Sequence, residues 1–224
     1  MRRYKRSFTL VELLAVIAIA GVLLGLLAPA FGRMLTGGKL DECAHNIRLG
    51  LELAQSHAVS SRKYVAVIFL KESSVDNLKQ YCFGGYRLAY VKKDGDNWKF
   101  DAWVKNEPWR NPADGAMLVG VVKSRSKAAA DLSLGSAAPS TFENPDVEIK
   151  EIPSDEGVTS YEAIVFSKLG GVAKGVEPLY FIVTEGKVDG STYEYGNVDD
   201  CLIVKLNPIT GRVAFHSEDA GGGE

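Results

Sequence analysis

The sequence predicts an α+β protein, with one long N-terminal helix packed on an antiparallel, β-rich globular head. Three observations carry this prediction. Phe8 to Phe31 is almost wholly apolar, and no residue from Leu13 to Phe31 is charged. From Leu40 to Ala58 apolar residues recur three or four apart, the spacing of one helix face. From Tyr64 onward apolar residues come in short runs that alternate with polar ones, parted by turn residues.

The chain opens with a basic leader, residues 1–7, in which Arg2, Arg3, Lys5 and Arg6 precede the first apolar residue. Residues 8–31 as a helix would be about 36 Å long, enough to cross a hydrocarbon core of about 30 Å, so they are predicted to be transmembrane. Cations on the leader side alone put the N-terminus in the cytoplasm and the remainder across the membrane. Glu12 does not suit a plain anchor, because a carboxylate costs about 2.5–3.5 kcal/mol at the bilayer centre and less near the interface. Either it stays at headgroup level by the helix N-terminus, whose partial positive charge favours it, or it meets a positive charge on another molecule.

Residues 32–62 are predicted to continue the helix in amphipathic form. Gly37-Gly38 should bend or fray it, at about 1 kcal/mol per glycine. Beyond them Leu40, Ala44, Ile47, Leu51, Ala54 and Ala58 form one apolar stripe, with Glu42, Arg48, Glu52, Gln55 and Arg62 off it. The head is expected over residues 63–216. Its strands read as Tyr64 to Leu70, Tyr86 to Lys92, Trp98 to Val104, Met117 to Val122, Val147 to Ile152, Tyr161 to Ser167, Leu179 to Thr184 and Cys201 to Leu206. Asp94-Gly95 marks one hairpin, and Asn207 to Gly211 marks another, joining Leu206 to Val213. Ser124 to Pro145 reads as a long loop, and residues 217–224 as a flexible tail.

Ser7-Phe8-Thr9-Leu10-Val11-Glu12-Leu13-Leu14 resembles the prepilin cleavage and methylation signal of type IV pilins and type II secretion pseudopilins. The resemblance implies that prepilin peptidase cuts between Ser7 and Phe8 and methylates the new terminus at Phe8. It implies that Glu12 is the assembly acid, pairing with the terminal amine of a neighbouring subunit. Gly21 and Pro29 fall where many pilins place a glycine and a helix-bending proline. Ser7 stands where the family usually has glycine. Further on, Ile164 to Gly171, Leu179 to Thr184, Leu202 to Leu206 and Thr210-Gly211-Arg212-Val213 are similar to the GspH/FimT group of minor pseudopilins and minor pilins.

What the group implies is a pilin fold and a minor pseudopilin-like structural subunit of a type II secretion pseudopilus. The alternative is a type IV minor pilin with a DNA- or surface-binding head. Implied partners are prepilin peptidase, other pilins or pseudopilins at a filament tip, an inner-membrane assembly platform and the lipid bilayer. The implied location is the bacterial inner membrane with a periplasmic head, then a pseudopilus or pilus.

The residues offer little for catalysis, and no cofactor or metal is expected. His45, His57 and His216 show no metal-ligand spacing. No serine lies in a nucleophile elbow, and there is no phosphate-binding glycine loop. Asp94 to Asn97 and Asp189 to Asp200 could offer oxygens to Ca²⁺, but turn chemistry accounts for them equally. Trp98, Trp103 and Trp109 with Lys99, Lys105 and Arg110 could form a nucleic-acid stacking face; core and sheet packing is the favoured reading. Subtracting the leader's four positive charges from the net charge of −2 leaves −6, which argues against a polyanion partner. Cys82 and Cys201 could form a disulfide in an oxidising compartment or stay as buried thiols, with Cys43 left over on the helix.

Overall fold

The computed structural model describes residues 10–73, 76–111, 113–123, 141–142, 147–153, 158–189, 192–195 and 201–216. Within the first helix, side chains are described for 10–25 and from 38 onward. The leader, the tail and nearly all of the loop expected at 124–145 lie outside the described residues.

Leu10–Ser61 forms one helix of 52 residues, α1. It is continuous through Pro29 and Gly37-Gly38, so the expected weak spot does not fray it. The glycines cost about 1 kcal/mol each, but they lie inside a long ladder whose elongation is cooperative. Two units divide at this point, Met1–Gly38 and Lys39–Glu224. In the second unit the stripe behaves as its spacing demands. Leu40, Ala44, Ile47, Leu51, Ala54 and Ala58 are all buried. The helix ends where the Ser61 hydroxyl donates to the His57 carbonyl at 2.6 Å. Arg62, with φ 54°, then turns the chain through the left-handed region.

The head contains β1 (Tyr64–Ser73), a one-turn helix α2 (Asp76–Lys79), β2 (Tyr86–Asp94), β3 (Asn97–Trp103), β4 (Ala116–Val122), β5 (Thr141–Phe142), β6 (Ile149–Lys150), β7 (Val158–Phe166), β8 (Leu179–Asp189), β9 (Thr192–Tyr195), β10 (Cys201–Leu206) and β11 (Val213–His216). They form one sheet in the order β6-β3-β2-β1-β7 and a second in the order β11-β10-β8-β4-β5, with β9 paired to β8. Pairing is antiparallel except for the two-residue β3–β6 and β4–β5 contacts. Both sheets pack on α1. Val65, Val67, Phe69, Leu88, Ile164 and Phe166 of the first sheet share a cluster with the helix stripe and with Leu118, Phe181, Val183 and Val204 of the second.

The other face of the first sheet is buried too. Ala66, Ile68, Ala89, Val91, Trp98, Ile149, Ala163 and Val165 form a separate cluster. Its geometry follows from one side chain. β6 and β7 are opposite edges of the sheet, yet the Tyr161 hydroxyl on β7 donates to the Ile149 carbonyl at 2.6 Å. It also accepts the Ile149 N–H at 3.1 Å. The sheet therefore curls until its edges approach, and Ala66, Ala89 and Ala163 give the concave face room to do so. Val147 to Ile152 pairs over only two residues, because Glu151 turns the chain away with φ 62°. Tyr161→Phe keeps the ring but deletes both bonds, and should lower unfolding free energy by about 1–2 kcal/mol in a denaturant titration of the full chain.

Candidate assembly surface

Ser7 and Phe8, the expected cleavage and methylation residues, lie outside the described residues. Glu12 is exposed in the first turn of α1, where unsatisfied amide N–H groups favour a carboxylate. Beside it Leu10, Val11, Leu13 and Leu14 are 57–78% exposed, and the aliphatics from Val16 to Leu24 are exposed as well. They point to every side of the helix. A helix apolar around its circumference is stable only when lipid or other helices cover it. Among the described residues, no helix is long and apolar enough to cross a membrane. Leu10 to Gly25 would span about 24 Å against the about 30 Å required, and the remainder of the expected span has no described side chains.

In the second unit, the turns after β7 and β10 meet at the last turns of α1. Gln55 Nε2 donates to the carbonyls of Gly170 at 2.9 Å and Thr210 at 2.8 Å. The Val172 N–H donates to the Pro208 carbonyl at 2.7 Å. Asn207 Oδ1 accepts the N–H groups of Ile209 and Thr210, closing an Asx turn. Gly170 and Gly211 have φ 91° and 67°. A Cβ at Gly211 would run into the Gly170 carbonyl and the Gln55 amide. The Gly-Gly and Thr-Gly steps in the sequence are thus where two backbones pass each other. Gln55, which ties them to the helix, gave no signal in the sequence, since it lies off the apolar stripe.

Several other sequence candidates serve packing or turns, while most of the Asp189 to Asp200 stretch lies outside the described residues. No disulfide joins Cys82 and Cys201. Cys82 packs with Leu70, Leu78 and Phe83. Cys201 lies instead against Val122 and Ile182, so the two thiols belong to different clusters. Burial pushes the Cys43 thiol up to about 12, which removes it from nucleophilic chemistry at neutral pH. His45 stacks edge-on against Phe215 at 4.6 Å. Among the described residues, no three His, Cys, Asp or Glu side chains gather around a metal-sized site. Asp94 to Asn97 closes the β2–β3 hairpin, with Gly95 at φ 60°.

The tryptophans follow the packing reading. Trp98 is 2% exposed and contacts Tyr64 at 4.9 Å. Trp103 meets Trp109 at 5.8 Å with the rings tilted by 60°, and the Arg87 guanidinium lies over Trp103 at 4.2 Å. Lys99 pairs with Glu151 at 2.7 Å and Arg110 with Glu107 at 2.9 Å, so these cations already face carboxylates. Gly211→Ala should destabilise the head by about 2–3 kcal/mol, from left-handed strain and the clash, whereas Gln55→Glu should cost about 1–3 kcal/mol by facing two carbonyls with a carboxylate. Thermal unfolding of both variants against wild type checks these values.

A family model described as the prokaryotic N-terminal methylation motif matches residues 2–28. No curated protein matches the chain. Two crystal structures of the type IV minor pilin FimU of Pseudomonas aeruginosa are similar to it. One has a TM-score of 0.43 and 13% identity, covering 80% of this chain and 90% of that one. The other has a TM-score of 0.37 and 12% identity, covering 80% and 93%. The matched motif takes in Ser7, Phe8 and Glu12, so the chain carries a prokaryotic N-terminal methylation motif at the start of its long helix.

Proposed function

We propose that this chain is a minor pilin-type filament subunit, a minor pseudopilin of a type II secretion pseudopilus. The observation that carries the proposal is the start of α1, an exposed helix apolar on all sides that holds a carboxylate in its first turn. The methylation motif over the same residues supports it. In this reading prepilin peptidase removes residues 1–7 and methylates Phe8. Residues 8–31 are held in the inner membrane with the head in the periplasm, until the assembly platform transfers the subunit to a filament.

Glu12 supplies the register of that transfer. A carboxylate and a terminal ammonium in an apolar surround are each costly alone and neutralise one another when paired. In this reading the acid of one subunit meets the terminal amine of another, and the pair forms between subunits stacked with a fixed axial offset. A type IV pilus minor pilin would use the same chemistry under a different platform. The two are separated by which platform, expressed with the chain, incorporates it.

Intact mass and N-terminal sequencing after coexpression with a prepilin peptidase should give a chain beginning at N-methylated Phe8. An uncut leader, or a start at Phe31, would overturn the reading. Glu12→Ala should still insert in the membrane. Its recovery in sheared filaments should fall by about two orders of magnitude, since leaving one member of a buried ion pair costs about 3–5 kcal/mol. Wild-type recovery of that variant would remove the pairing mechanism.

A further inference from the structure

The head shows aliphatic side chains to solvent at a place its own packing does not explain. Leu169 is 95% exposed, Val176 79% and Ile209 73%. They sit together. The backbone at Ile209 lies against Gly171, two residues beyond Leu169. Val176 lines a cavity of about 140 Å³ with Leu179 and Pro208. Val59 of α1, half exposed, borders the same turns, its Cγ2 3.2 Å from where a Cβ of Gly170 would stand. Scattered exposed aliphatics need no account, but these converge on turns fixed by Gln55 and by the Val172–Pro208 hydrogen bond.

Charge narrows what could cover them. Lys168 and Arg212, both exposed, flank the turns. Lys123 and Lys174 line the cavity, with Glu177 the carboxylate among its lining residues. The rim cations Lys168 and Arg212 lie on a chain whose net charge without the leader is −6, so carboxylates outnumber cations over the remainder of such a subunit. Two copies of this basic spot facing each other across a two-fold axis would repel. Contact between this spot and a different, acidic surface is favourable, and such a contact suits the repeated step of an open array. A fluid anionic bilayer would offer the charge too. Fixed turns around a cavity, carrying aliphatic residues and no exposed interfacial aromatic among the described residues of the patch, suit a shaped protein surface better.

We infer that the turns bearing Leu169, Val176 and Ile209, with Lys168 and Arg212 at their rim, dock the acidic head of an adjacent subunit in a pilin-type filament. The inference rests on the filament reading above. A benzophenone amino acid placed at Leu169 of the full-length chain, in cells that build the filament, tests it by irradiation and mass-spectrometric mapping. Filament recovery is measured in the same cells. The expected product joins residue 169 to an Asp/Glu-rich head peptide of a protein bearing an N-terminal methylation motif, a second copy of this chain included. Combining Lys168→Glu with Arg212→Glu should cut that product by about tenfold, and placing the probe at exposed Lys150 should not yield it. Recovery in filaments with only lipid adducts, with no adduct, or with an adduct indifferent to charge reversal overturns the docking surface and leaves the filament reading intact. A chain that never enters filaments overturns both.

Discussion

One face of α1 between Leu40 and Ala58 is the surface on which both sheets of the head rest, and its composition sets how closely they approach. Leu40, Ile47 and Leu51 supply the buried bulk, each contributing about 1.5–3 kcal/mol by leaving water. Ala44, Ala54 and Ala58 supply nearness. Gly50 does the same for one ring, since a Cβ there would run into Tyr86. Phe69 and Phe181, from different sheets, then meet over the helix at 5.9 Å. A helix face of larger residues would hold the sheets apart and open voids between them.

The same helix has two solvent requirements. Past Lys39 most of its apolar residues form a stripe and are covered by the head. Before Gly25 they surround the helix and are exposed. Backbone hydrogen bonding satisfies the helix in either setting, so the change requires no break at Gly37-Gly38. What differs is the partner that each stretch needs. The head supplies its own for the second stretch, and none of its strands is needed to explain the first.

The α+β class, the stripe and most strands were legible because each rests on local periodicity. The β2–β3 hairpin was legible because Asp94-Gly95 encodes its turn. What escaped has long-range causes. The curl of the first sheet depends on the Tyr161 hydroxyl meeting the Ile149 backbone, a contact no pattern around Tyr161 announces. Gln55 reads as an ordinary polar helix residue until two turns distant in sequence arrive beside it. β9 hides in a polar stretch that pairs only because β8 extends to Asp189. The tryptophans and cysteines were ambiguous in sequence for a related reason. Stacking platform and core, or disulfide and thiol, use the same residues and differ only in what surrounds them. At the candidate assembly surface, Glu12 draws notice in the sequence because one charge in an apolar run is conspicuous at any distance.

Symmetry connects the helix start with the turns at Leu169 and Ile209. In the filament reading, the Glu12 carboxylate meets another subunit's terminal amine, a contact between unlike groups. A basic, aliphatic patch on an acidic protein has the same property, since its complement lies elsewhere on the surface. Isologous contacts saturate at two copies, whereas contacts between unlike surfaces whose rotation does not close leave one of each unused and continue in one direction. In that reading both features suit the same class of arrangement, an open array of subunits related by a repeated step, and they do so on unrelated physical grounds: one is the cost of charge in an apolar surround, the other the repulsion of like charges around exposed aliphatics.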